Sequence, residues 1–360
     1  MESVDLAYWL LRNAGPSIRY RTYVDIFHEQ DIGLVWQALS ELTASPLIHE
    51  WLQRLVPGFG LNLVHSSRPH AYENVMGKLV QLGLRAGLQS FDNKTLPFRA
   101  WLSDNLNSPP DQPHAIFLKT VIASFLSYAG YGNIHPVSAH LIARLSSLYA
   151  FSKEPDYESI FVDRMGFKGI PKTLESYNLV NPELYPEQHL ALPWIYDIRG
   201  LAFCTDIMQS STLRKQAETV VKMILTEEYQ SLPRSYGIAK YGDHYYVLGW
   251  STHLPNYRQR PTGVPFAELI LSLEMLAPFD CTRTSSWFQD SMGYLEEFRT
   301  DDGTYKFPRD SLPEKMDGYW VGGYRMGLEE KRRSEIAIEC ESTFWMLRIK
   351  TLAGTLQARF

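Results

Sequence analysis

Apolar residues recur along this chain with the period of an α-helix, and that recurrence limits the folds open to it. Leu118, Val121, Ile122, Phe125, Leu126 and Ala129 lie at steps of three and four, forming one stripe of a 3.6-residue helix that stops at Gly130-Tyr131-Gly132. After His135-Pro136 a second stripe runs through Val137, Leu141, Leu145 and Leu148, so a short Gly-containing turn joins two helices that should pack antiparallel. Leu213, Ala217, Val220, Val221, Ile224 and Leu225 make another stripe. Phe266, Leu269, Ile270, Leu273 and Leu276 follow Pro265, which suits a first helical turn, and Trp287, Ser291, Tyr294, Leu295 and Phe298 supply the expected antiparallel partner. Residues 1–110 hold shorter helices, with Pro16 and Pro46 each at a predicted start. Strand-like alternation is confined to Ser235–Tyr241 and His244–Trp250 around Gly242-Asp243, a small hairpin set into a helical chain. No strict repeat period emerges, which leaves an irregular solenoid or a closed ring of helical hairpins. The concentration of aromatic and polar residues in the loops Tyr236–Tyr257 and Asp301–Arg325 favours the ring, with those loops converging over its mouth.

The 360 residues include 45% hydrophobic and 21% charged side chains, as in a folded globular body. A net charge of −5 offers no field for phosphate backbones, so nucleic acid is not an expected partner. The one compact basic run, Lys331-Arg332-Arg333, follows Glu329-Glu330 and reads as a solvated helix face. No apolar stretch approaches the roughly 18 residues of a membrane span, and a cytoplasmic location is expected. Cys204, Cys281 and Cys340 are widely spaced and form no Cys-x-x-Cys pair, as befits reduced thiols. His65 and His70, like His135 and His140, are five apart and miss the spacing of a helical His-Glu-x-x-His site, so neither a metal nor another cofactor is expected. Aromatic residues reach 13%, enough to fill a core and also line a ligand cavity.

Three constellations are chemically suggestive. On the last helix Ile338, Glu341, Trp345, Arg348 and Leu352 align beside an apolar stripe of Ala337, Cys340, Phe344 and Leu347. A carboxyl desolvated next to the Trp345 indole would have a raised pKa and donate a proton; the alternative is a Glu341 contact with Arg348 or a loop that anchors the helix. In the hairpin region Tyr236, His244, Tyr246, Trp250 and His253 offer imidazoles for proton transfer and rings for binding, with His244 and Tyr246 on one face and Tyr245 on the other. Gly249-Trp250-Ser251-Thr252-His253 has His where the second glycine of a nucleophile elbow belongs, which argues against a serine hydrolase. Asp317 through Gly327 is Gly-rich without a phosphate-loop ending; as a flap it would close Tyr319 and Trp320 over a pocket while Arg325 meets an anionic group. Arg19, Arg21 and Asp25 are spaced for pairing on a helix surface.

Arg299-Thr300-Asp301-Asp302-Gly303-Thr304-Tyr305 follows a predicted helix and resembles the Gln-x-x-x-Gly-x-Trp repeat of the squalene and terpenoid cyclase superfamily, with Arg299 in place of the Gln and Tyr305 in place of the Trp. Gly15–Thr22, Lys78–Leu84 and Glu341–Arg348 are similar to segments of uncharacterised bacterial relatives of that superfamily and of the protein prenyltransferases. The resemblance implies a single all-α domain over 1–360, an α/α toroid of inner and outer helices around a cavity. It does not carry over the family's chemistry, because Asp-x-Asp-Asp, Asp-Asp-x-x-Asp and the prenyltransferase zinc ligands are missing; Asp280-Cys281 stand side by side without a third ligand.

The expectation is therefore a toroid enzyme performing metal-independent acid–base chemistry of cyclase, isomerase or lyase type on a small, largely apolar or cyclic substrate. Its catalytic candidates are Glu341, His244, Asp302 and Asp317; its binding candidates are Tyr236, Tyr246, Trp250, His253, Tyr319, Trp320, Arg325 and Trp345. A carbohydrate-active barrel would instead use two carboxylates among Asp301, Asp302, Asp317 and Glu341. A noncatalytic scaffold binding a peptide or protein would present an open curved surface without a buried carboxylate.

Overall fold

The computed structural model describes residues 3–107, 115–157, 160–163, 167, 170, 172, 178–180, 192–241, 244–249 and 251–355; of residues 239–241, 244 and 246 it describes the backbone only. The protein is mostly helical with one small mixed sheet, and each long apolar stripe forms a helix. The chain divides into two compact units, one of residues Met1–Val56, Ser66–Lys94 and Pro255–Phe360, the other of Pro57–His65 and Thr95–Leu254.

In the first unit, prolines open three helices, Pro16–Arg21, Pro46–Arg54 and Val264–Leu276, where the missing N–H removes no helical bond. The helix Tyr72–Gln81 is buried at every position, including Glu73, Asn74, Lys78 and Gln81. It packs against Pro46–Arg54 and against the short turn Trp320–Gly322. The final helix, Glu335–Leu352, is capped by the Ser334 hydroxyl, which accepts from the Ala337 amide. It contacts Ser3–Asn13, Thr22–Phe27 and Val264–Leu276. Ala337–Ile338 and Cys340–Leu347 are all buried, so the two faces distinguished in sequence both lie inside protein. Phe266 meets the rings of Tyr294 and Phe298 at 5.7 and 5.5 Å, which brings Ser286–Glu296 against Val264–Leu276.

Arg21 and Asp25 pair at 2.7 Å, but in the interior and not on a helix surface. Asp25 also meets Arg85 at 2.9 Å and Arg348 at 3.9 Å, while Glu274 takes Arg348 at 3.5 Å and Arg21 at 3.7 Å. The surrounding guanidiniums overcome the desolvation of Asp25 and hold its carboxyl far below the usual range. Arg348 is thus committed to Glu274 and Asp25.

In the second unit, Ala115–Leu126 packs against both His135–Lys153 and Ile195–Phe203, and Ser211–Ile224 against His135–Lys153. Arg144 and Asp197 make a buried two-pronged pair, both bonds 2.8 Å, and the same carboxylate accepts the Trp194 amide at the start of its helix. The predicted hairpin is present as β3 (Ser235–Tyr241) and β4 (His244–Leu248), with Tyr241 opposite His244 and Gly237 opposite Leu248. It is part of a larger sheet: β3 pairs in parallel with β2 (Asn178–Val180), which pairs antiparallel with β1 (Phe161–Val162). Among the described residues no helix is long and apolar enough to cross a membrane.

Candidate functional site

A polar pocket of about 320 Å³ in the first unit is lined by Pro46, Leu47, Glu50, Lys78, Glu314, Gly327, Glu329, Glu330 and Arg332. Its floor is organised by Lys78, which is 1% exposed on the buried helix Tyr72–Gln81. The ammonium donates to Glu314 Oε2 at 2.6 Å and to the Gly327 carbonyl. Burial pulls the Lys78 pKa down, opposed chiefly by the Glu314 charge. Glu314 Oε2 also accepts the Gly327 amide at 2.8 Å, so one carboxylate ties the lysine to the 326–330 strand of chain.

Glu341 stands behind this wall. Its Oε1 accepts the amides of Leu328 and Glu329 at 2.7 and 2.9 Å and Arg332 Nε at 2.9 Å; its Oε2 accepts Arg332 Nη2 at 2.8 Å. The residue is fully buried and every one of these partners is an N–H donor. This corrects the expectation of a proton donor facing a cavity: Glu341 bonds loop amides and a guanidinium, as an anchor does. It also corrects the reading of residues 329–333, which form a turn and not a helix face, with Arg332 directed inward while Lys331 and Arg333 stay exposed.

Glu329 lines the same pocket. Its Oε1 accepts the Gly15 amide at 2.7 Å, and its carboxyl is pushed up to about 7, first by burial and then by the nearby Glu341 and Glu330 charges, against the Gly15 bond and Arg19. Neither Lys78 nor Glu329 stood out in the sequence as a site residue. A lone lysine within Val75-Met76-Gly77-Lys78-Leu79-Val80 was the available signal for the first; nothing local marked the second.

The remaining candidates are dispersed. Asp302 and Asp317 are exposed, on turns 301–303 and 316–318. The Arg299–Tyr305 segment closes as a turn with Gly303 at φ +89°, a value favouring glycine, and Arg299 Nε donates to the Gly303 carbonyl at 3.3 Å. Trp320 is fully buried; its amide donates to Asn74 Oδ1 and its indole N–H to Gln81 Oε1, so it belongs to the core and does not close over a pocket. Arg325 is fully buried and donates to the carbonyls of Lys315, Met316, Gly318 and Ser67, which occupies it with backbone carbonyls instead of an anionic ligand. Tyr319 is half-buried, and burial pushes its hydroxyl up to about 12. Trp345 is fully buried beside Phe344, so this binding candidate is a core side chain.

In the second unit Tyr236 is half-buried on β3, and His253 lines a small void with Trp194, Tyr229 and Ser251. His244 and Tyr246 occupy β4, but their side chains, like Trp250 as a whole, lie outside the described residues. Among the described residues no group of three His, Cys, Asp or Glu side chains is arranged to hold a metal ion. No family model matches this chain, no curated protein matches its sequence, and no solved structure matches its fold.

Proposed function

We propose that the protein is an acid–base enzyme acting on a small polar molecule in the 320 Å³ pocket, with Glu329 as the group that gives and takes the proton. The observation that carries this reading is a carboxyl with a pKa of about 7 on the wall of a pocket that also holds a buried lysine and an arginine. A group half-protonated near neutrality suits both donation and removal of a proton. Lys78 and Arg332, each paired with a carboxylate, stand around the pocket with Glu50, Glu314 and Glu330, so a ligand with both polar and charged groups fits better than the apolar one suggested by aromatic content. The volume lies at the small end of the roughly 300–1,000 Å³ of ligand pockets. Kinship with the terpenoid cyclase superfamily and closure of the helices into an α/α toroid are further parts of this proposal, supported by the resemblances in sequence and by the packed helices 115–126 and 135–153.

Two measurements test it. Folded Glu329 keeps its proton to about pH 7, whereas the ordinary carboxyl titrates near 4.5, so the native state binds more protons between these values and loses stability as pH rises through them. Glu329→Gln removes that dependence: the variant should melt with wild type near pH 4.5 and increasingly above it toward pH 7.5. A difference that stays flat across the window refutes the raised proton affinity. For the chemistry, NMR of polar amino and hydroxy acids in D2O should show deuterium wash-in with wild type and none with Glu329→Gln; equal exchange by both proteins removes Glu329 from the reaction.

A further inference from the structure

In the second unit a serine hydroxyl and an imidazole are in hydrogen-bond contact. Ser251 Oγ lies 3.0 Å from His253 Nδ1, and His253 Nε2 lies 2.7 Å from the Leu232 carbonyl oxygen. A carbonyl only accepts, so Nε2 carries the ring proton, and Nδ1 of the neutral imidazole is left as an acceptor for the Ser251 hydroxyl. The Ser235 amide points at the same hydroxyl oxygen from 3.5 Å. This is the sequence of contacts that activates a serine: hydroxyl to imidazole, imidazole to a group that fixes its tautomer. The pair is reached without a nucleophile elbow, because residues two apart on one segment point into the same void, and so the missing second glycine is no obstacle.

The void itself defines what fits. Its walls are largely apolar, including Phe161, Val180, Pro193, Trp194 and Tyr229, and its open volume is about 20 Å³. A water needs about 10–15 Å³ on the same measure, so the space accepts a group on the order of one methyl. Its apolar walls suit a methyl better than an ion.

We infer that Ser251 and His253 form a nucleophile–base pair that hydrolyses acetyl esters at a site separate from the pocket of the first unit. Ser251 Oγ bonds to the ester carbonyl carbon as its proton passes to His253 Nδ1, and the carbonyl electron pair moves to oxygen. When that pair re-forms the carbonyl, the bond to the alcohol oxygen breaks, and the departing alkoxide takes the proton from Nδ1. Water then repeats the attack on acetyl-Ser251, delivering its proton to Nδ1; collapse returns that proton to Ser251 Oγ and releases acetic acid. No other reactant is required.

The test uses the full chain with p-nitrophenyl acetate. Peptide mapping by mass spectrometry after rapid quenching should find acetyl on Ser251, and nitrophenolate release should be at least about 10-fold faster from the acetate than from the butyrate. Ser251→Ala should abolish the acetylated peptide. His253→Gln retains an N–H for the Leu232 carbonyl and leaves Ser251 in place, yet should slow release by about 10²-fold or more, the lower bound for losing a general base. If a variant unfolds, the acetylation map and the acetate-to-butyrate ratio of the wild-type chain still decide. Acetyl only on lysine or tyrosine, equal rates for the two esters, or a folded His253→Gln as fast as wild type would each overturn the inference.

Discussion

Replacing Glu341 by Gln separates an anchoring carboxylate from a catalytic one, and the structure sets the size of the effect. The amide oxygen of Gln can still accept from Leu328 and Glu329, so those two bonds survive. The Gln NH2 group, however, replaces the oxygen that accepts Arg332 Nη2 at 2.8 Å, which sets donor against donor and leaves the guanidinium without its counter-charge. Removing one partner of a buried pair costs about 3–5 kcal/mol. The Arg332 side chain is 22% exposed while that of Glu341 is 0% exposed, so water recovers part of the arginine's solvation and the expected loss is about 3 kcal/mol. At about 2–4 °C per kcal/mol for a cooperative unit of 150–250 residues, the melting midpoint should fall by about 6–12 °C. Calorimetry at pH 7 with a double-mutant cycle is the assay, because Arg332→Met in the Glu341→Gln background removes the stranded charge and should restore part of the loss. A midpoint within 2 °C of wild type, accompanied by lost deuterium exchange in the assay described above, would refute the anchor and return Glu341 to the chemistry.

Two further expectations concern packing and buried charge. A Cβ on residue 77 would collide with the buried Trp320 indole, reaching Cε3 at 2.8 Å, so Gly77→Ala should lower the urea midpoint by the equivalent of about 1–3 kcal/mol; an unchanged midpoint would show that Trp320 is free to move. Asp197→Asn removes the counter-charge of Arg144, whose side chain is 3% exposed, and weakens the cap on the Trp194 amide. It should cost about 3–5 kcal/mol in chemical denaturation, and a loss below about 1 kcal/mol would contradict the buried pair.

Short-range sequence pattern specifies the helices and the hairpin. The stripe through Leu118–Ala129, the first-turn prolines and the alternation around residues 235–248 depend on neighbours three, four or two positions apart, and such patterns specify local conformation directly. It also determined that the last helix carries a glutamate within an apolar environment. What that glutamate does was decided by tertiary structure, which folds the 328–332 turn back to give Glu341 two amides and a guanidinium. Lys78 shows the same division: the lone lysine is visible in its helix, but its partner Glu314 is 236 residues away. Glu329 becomes a neutral-range acid only because the chain places it in a buried setting near Glu341 and Glu330. Ser251 and His253 were legible as a serine and a histidine two apart, and the carbonyl of Leu232, 21 residues earlier, settles the tautomer that makes them a pair. Helix and strand periodicity follow from steric repulsion and hydrogen bonding within a few residues, whereas the state of a buried polar group follows from desolvation and from charges brought near it by folding.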